Sequence, residues 1–307
     1  MAIELNQIKI SAAASSLAYE GPDETCKYYQ EKYRDLTNAL GIAGDNVIQK
    51  PIPFWKKNVP ETPAGYVIET RDKVIITYHG THVSKFFSYK FSKFIKETVT
   101  GKFLKGLYHI TNKSFFSSGA FEVLNDLRFI LRKMQFGQHK LLIHAGFRSE
   151  FLASKISLYN ALKNVDLEKN MIITGHSLGG ALSQIASLDA VTNAKEFKFK
   201  IDSVNTFGGP RVFSPYAAKI YRQVGLAAKT YRMCIDFDLI AKIPPFGYYE
   251  HAGQEVKIKG KMLNPISSHL MSYYESIKIK RVQDNRANLK LLSLGLMELY
   301  GTTDYEV

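Results

Sequence analysis

The chain has 307 residues, 45% hydrophobic and 22% charged, and carries a net charge of +13 at neutral pH. This is enough apolar material for an α/β core, and it excludes disordered, collagen-like and disulfide-scaffold classes. Cys26 and Cys234 lie far apart in the chain and are compatible with a reducing compartment. No apolar run reaches the roughly eighteen residues of a membrane-spanning helix. Residues 1–18 mix small and polar side chains and lack a basic start followed by an apolar stretch, so no Sec signal is expected. The expected location is cytoplasmic, or outside the cell by a leaderless route, and peripheral at membranes. The excess of positive charge has no helix-turn-helix, zinc or RNA-binding signature beside it, which argues against nucleic acid and for an anionic lipid surface.

In chain order, residues 23–40 have helical spacing of charged and apolar positions, and a Pro-rich connection follows over 51–63. Residues 64–70, the turn Arg71-Asp72-Lys73 and 74–78 read as a hairpin leading into a central strand. Helices are predicted over 121–134, 149–165, 178–191 and 215–223. Strands are predicted over 140–144, 171–174, 199–207 and 230–235, with mostly helical sequence from 267 onward. Strands alternating with helices imply a largely parallel sheet covered on both faces. With no internal repeat or low-complexity tract, residues 1–307 read as a single domain.

The most informative segment is Gly175-His176-Ser177-Leu178-Gly179-Gly180, directly after the apolar run Met171-Ile172-Ile173-Thr174. A strand that breaks at glycine, presents a serine and enters a helix is the nucleophile elbow. The serine takes up a strained backbone conformation, and glycines two residues before and after it remove side chains that would collide. Ala181, Leu182, Ile185 and Leu188 continue at helical spacing, supplying the outgoing helix.

A serine hydroxyl becomes a useful nucleophile when a histidine accepts its proton and a carboxylate fixes that histidine. In proteins built on this elbow the chain order is Ser, acid, His. After Ser177 the acids at the end of the 230–235 strand are Asp236 and Asp238, and the histidines beyond them are His251 and His269. His176 precedes the acid and reads as a packing residue. The residues alone leave both pairs open.

Four further segments fall in order around the elbow. They are Thr77-Tyr78-His79-Gly80-Thr81, Ile143-His144-Ala145-Gly146-Phe147, Asn205-Thr206-Phe207-Gly208-Gly209-Pro210-Arg211-Val212, and Asp238-Leu239-Ile240-Ala241-Lys242-Ile243-Pro244, which continues into Tyr249-Glu250-His251-Ala252-Gly253. Over roughly residues 65–275 the chain resembles a class 3 lipase, the fungal-type lipase family of the α/β-hydrolase fold. It departs from the family pattern at His79, where arginine is commoner, and at Ala241, where proline is usual.

The resemblance implies Ser177 as nucleophile, Asp238 as acid and His269 as base, with His251 structural. It implies an oxyanion hole from the backbone N–H of Leu178 and from Thr81. The implied activity is hydrolysis of carboxylic esters of acyl lipids, of triacylglycerol lipase or phospholipase A1 type, through an acyl-enzyme. That chemistry calls for no metal and no organic cofactor. A lid insertion is expected over 82–118, because Phe87, Phe91, Phe94 and Ile95 follow helical spacing among Lys85, Lys90, Lys93 and Lys96. Such a helix can lie on an acyl boundary with its lysines at phosphate groups. The rival readings are a membrane-binding protein with a vestigial site, and an acyltransferase using the same three residues.

Overall fold

The computed structural model describes residues 5–18, 47–57, 59–80, 130–194, 197, 199–236, 238, 240–244, 246–258, 269 and 273. The strands are β1 (Ile52–Lys56), β2 (Val59–Glu69), β3 (Lys73–Tyr78), β4 (Leu131–Phe136), β5 (His139–His144), β6 (Asn170–His176), β7 (Lys200–Phe207), β8 (Thr230–Cys234) and β9 (Gln254–Lys257). The helices are α1 (Leu5–Leu17), α2 (Ala145–Leu162), α3 (Leu178–Thr192) and α4 (Pro215–Gln223). Among them no helix is long and apolar enough to cross a membrane.

Seven of these strands form one sheet in the order β1-β2-β3-β6-β7-β8-β9. β1, β2 and β3 pair antiparallel, and every pair from β3 to β9 is parallel. β6 lies at the centre, and six of its seven residues are buried. A strand with Met171, Ile172 and Ile173 in succession has no polar side because helices cover both faces. On one face α2, α3 and α4 bring Phe151, Leu158, Leu182, Ile185 and Ile220 against Val74, Ile76, Met171 and Ile173. Each such side chain contributes about 1.5–3 kcal/mol by leaving water.

The other face is closed by α1, a helix without an apolar stripe. Ala12 and Ala14 pack against a cluster that includes Tyr66, Ile68, Ile75, Ile172 and Phe207. Small residues let the helix approach closely enough for buried hydrogen bonds to the sheet. The Thr77 hydroxyl donates to the Ala14 carbonyl (3.0 Å), Asn205 Nδ2 donates to Ser11 Oγ (2.7 Å), and the Ser15 and Thr174 hydroxyls share a bond of 2.9 Å.

Four elements differ from the sequence reading, which gave residues 5–17 no helix. The helix predicted over 121–134 is wrong where it can be compared: Leu131–Phe136 is strand β4, paired residue for residue with β5. Gly137 at φ 55° supplies the turn between them, and Met134 and Phe136 alternate inward, a period of two that overrides the helical spacing. The Pro-rich connection over 51–63 contains β1 and the start of β2. Proline is tolerated there because β1 is the sheet's outermost strand, and the pairing carries register shifts at Phe54, Trp55 and Lys56. The sequence reading also omitted β9, which is short and mostly exposed. The helix expected over 23–40 and the lid expected over 82–118 lie outside the described residues.

Candidate active site

Ser177 sits at the carboxyl end of β6 with φ 57° and ψ −125°, the one non-glycine residue with positive φ among the described residues. Strain of this kind persists where the surroundings over-determine it. Here the surroundings are backbone. A Cβ at Gly175 would lie 2.3 Å from the carbonyl carbon of Gly179, and a Cβ at Gly179 would lie 2.3 Å from the Tyr78 carbonyl oxygen. The Ser177 N–H donates to the Phe207 carbonyl of neighbouring β7 (2.9 Å), while the Ser177 carbonyl accepts from the N–H groups of Gly180 (3.0 Å) and Ala181 (3.3 Å). Leu178 opens α3, so its N–H lies at the positive end of the helix dipole, where a developing oxyanion is stabilised. Thr81 lies outside the described residues.

The candidate acid is carried on the turn after β8. Asp238 is fully buried, and its Oδ1 accepts from the N–H groups of Ile240 (2.9 Å) and Ala241 (3.4 Å). Its Oδ2 meets His269 Nδ1 at 2.9 Å and accepts from the Tyr273 hydroxyl at 2.7 Å. Burial pushes the Asp238 pKa up, but the facing His269 and the hydrogen bonds from His269 and Tyr273 outweigh it, so the carboxyl is held below its ordinary value. Burial, then the adjacent Asp238 charge, pushes the Tyr273 phenol far above its ordinary range, which keeps it a donor. The same hydroxyl accepts from the Ile235 N–H at 3.1 Å and so ties the acid to the end of β8.

With Nδ1 committed to Asp238, His269 keeps Nε2 as its remaining ring nitrogen. That atom is buried and has no hydrogen-bond partner among the described residues. His269 is brought to the serine's end of the sheet by His176, whose Nε2–H donates to the His269 carbonyl at 2.8 Å. Close approach needs a bare backbone again, because a Cβ at Gly208 would lie 2.6 Å from Asp238 Oδ2 and 3.0 Å from His269 Cε1.

The other candidates sit elsewhere. Asp236 is exposed, 3.5 Å from Lys257. His251 Nε2–H donates to the Ala241 carbonyl (2.7 Å), steadying the turn that carries Asp238; burial and then the positive Arg232 lower its pKa to about 3. His79 is buried, and its Nδ1 is in contact with the Gly80 carbonyl. Arg211 reaches the same acid turn, donating to the carbonyls of Lys242 and Pro244. Tyr273 was missed in the sequence, although His-x-x-x-Tyr is the spacing of one helical turn from His269. Among the described residues no three His, Cys, Asp or Glu side chains could jointly hold a metal ion.

A family model described as Lipase (class 3) matches residues 117–248. Over that stretch the chain is similar to the class 3 lipase family. The match contains the elbow and Asp238 and stops short of His269, whose place is given by the contacts above. A lipase of Rhizopus niveus is 32% identical over 128 residues, covering 40% of this chain and 32% of that protein. The secreted mono- and diacylglycerol lipase 1 of Fusarium solani is 29% identical over 126 residues, covering 40% and 36%. The chain thus spans about a third of the length of the curated relatives it matches. Among solved structures, a fungal lipase–inhibitor complex superposes with a TM-score of 0.59 at 16% identity, covering 90% of this chain and 96% of that one. Lipase II from Rhizopus niveus superposes at 0.56, with 20% identity, 85% of this chain and 82% of that one. These likenesses show the fold, an α/β-hydrolase fold.

Proposed function

We propose that the protein is a serine hydrolase that cleaves carboxylic esters of acyl lipids, with Ser177 as nucleophile, His269 as base and Asp238 as acid. The observation that carries this reading is the Asp238–His269 pair at 2.9 Å, whose Nε2 has no hydrogen-bond partner among the described residues, at the sheet end where the strained Ser177 stands. Ser177 Oγ attacks the ester carbonyl as His269 Nε2 takes its proton, and Asp238 stabilises the imidazolium. The Leu178 N–H, with Thr81, holds the tetrahedral oxyanion. Nε2 then delivers the proton to the leaving alcohol, and a water activated at the same nitrogen releases the fatty acid. Mono-, di- or triacylglycerol is favoured as substrate by the matched relatives, which are named as lipases. The charge of +13 favours an anionic surface as the place of action, with phospholipid as an additional substrate.

The test is fatty-acid release by wild type and Ser177→Ala from a soluble short-chain ester, a triacylglycerol emulsion and anionic phospholipid vesicles. Ser177-dependent release that rises on an aggregated substrate is expected, with a loss on the order of a millionfold in the variant. Release that is identical in both proteins, or absent from all three substrates, would overturn the assignment.

A further inference from the structure

The residue between Gly175 and Ser177 has no evident task in an elbow, whose backbone strain is met by its glycines. His176 is nevertheless 1% exposed at the end of β6, with its ring against that of the base. Its Nε2 lies 2.8 Å from the His269 carbonyl oxygen, which can only accept, so Nε2 bears a proton and the tautomer is set. Its ring lies 4.7 Å from the His269 ring at an interplanar angle of 34° and 5.8 Å edge-on to Tyr273. It is also close enough to Asp238 to help hold that carboxyl ionised.

His269 comes from a part of the chain 93 residues beyond His176. Its imidazole is gripped from one side by Asp238; its main chain and ring face are gripped by His176. Asp238 alone fixes one nitrogen and leaves the ring free to swing about that bond. A second contact on the backbone and a third on the ring face remove that freedom.

We propose that His176 is a positioning residue for His269, holding the base over the serine that follows His176 itself in the chain. The inference rests on His269 being the base. A one-residue offset then couples nucleophile and base: the strand end that strains Ser177 also carries the donor that places its proton acceptor.

Two substitutions separate the contacts. His176→Phe keeps a ring and removes the donor, whereas His176→Gln keeps an N–H donor at similar reach and removes the ring. On a soluble short-chain ester, His176→Phe is expected to lower kcat about tenfold or more with KM little changed, as expected for a displaced catalytic group. His176→Gln should recover part of that loss. In histidine-labelled protein, the downfield Nδ1 proton of the His269–Asp238 bond, assigned by its absence in His269→Gln, should broaden in His176→Phe and persist in His176→Gln. Wild-type kcat and an unchanged proton in both variants would overturn the proposal. So would losses that only follow the folded fraction, with the proton of the remaining folded protein unchanged. If wild type shows no Ser177-dependent release, the hydrolase reading fails, while the proton signal still decides whether His176 holds His269.

Discussion

The serine side and the acid–base side of the site are held by different means. Ser177 is fixed by backbone: glycines at 175 and 179 let the β6 end, the α3 start and the β3 exit approach to distances that no Cβ allows. Asp238 and His269 are fixed by hydrogen bonds: two backbone N–H groups, a tyrosine hydroxyl and a histidine converge on residues separated by 31 positions. Backbone fixation fails as a whole when disturbed, whereas a hydrogen-bonded network loses function in steps.

That contrast can be broken most decisively at the acid. Asp238→Asn should preserve the fold and lower kcat on the order of ten-thousandfold, since the amide favours the wrong histidine tautomer. A rate within tenfold of wild type would reassign the acid. On the serine side, Gly179→Ala drives a Cβ to 2.3 Å from the Tyr78 carbonyl oxygen. We expect at least about 3 kcal/mol of lost stability, seen as a fall in Tm of about 6 °C or more. Gly225→Ala is the control. At φ 81° with nothing within 4 Å of the added Cβ, it should cost only about 1–2 kcal/mol.

Acid should act on the frame before it acts on the site. Burial lowers the pKa of His144, which caps α2 through Nδ1, to about 4. An unfolded histidine takes up its proton near pH 6.5, so between that pH and 4 the unfolded chain binds a proton that the folded one refuses. Stability therefore falls as pH falls through this window, by about 3 kcal/mol for this residue. Denaturant unfolding of wild type and His144→Asn at pH 7 and 4.5 measures it, and the variant should show the smaller pH dependence.

The mildest effect expected within the site is at Tyr273. Tyr273→Phe removes one of the bonds to Asp238 and leaves the Ile235 N–H without its acceptor. About 1–3 kcal/mol of stability and roughly tenfold in kcat should be lost. A rate as low as that of Asp238→Asn would mean that the network fails all at once and that the two sides do not differ.

The elbow was legible because its geometric demands fall on residues adjacent in sequence and only glycine meets them. The central strands were legible because burial on both faces leaves continuous apolar runs. Helix α1 was not, since it docks through alanine and serine and shows no apolar period. β4 was misread because its alternation is short and its hairpin turn at Gly137 has a weak signature. The choice between His251 and His269 depended on contacts across the chain: one ring nitrogen meets the Ala241 carbonyl, the other the Asp238 carboxylate. Tyr273 belongs to the same class, since its partner lies 35 residues away.

The docking of α1 also sets an order of events during synthesis. Ser11 finds its partner Asn205 only 194 residues later, which at about 5–20 residues per second is roughly 10–40 s after the helix has emerged. For that interval the segment stays without its complete sheet. Alanine and serine are suited to the wait, because they expose little that another chain could grasp. A leucine-rich helix would close the same face more strongly and would also be a sticky end on every ribosome making the protein.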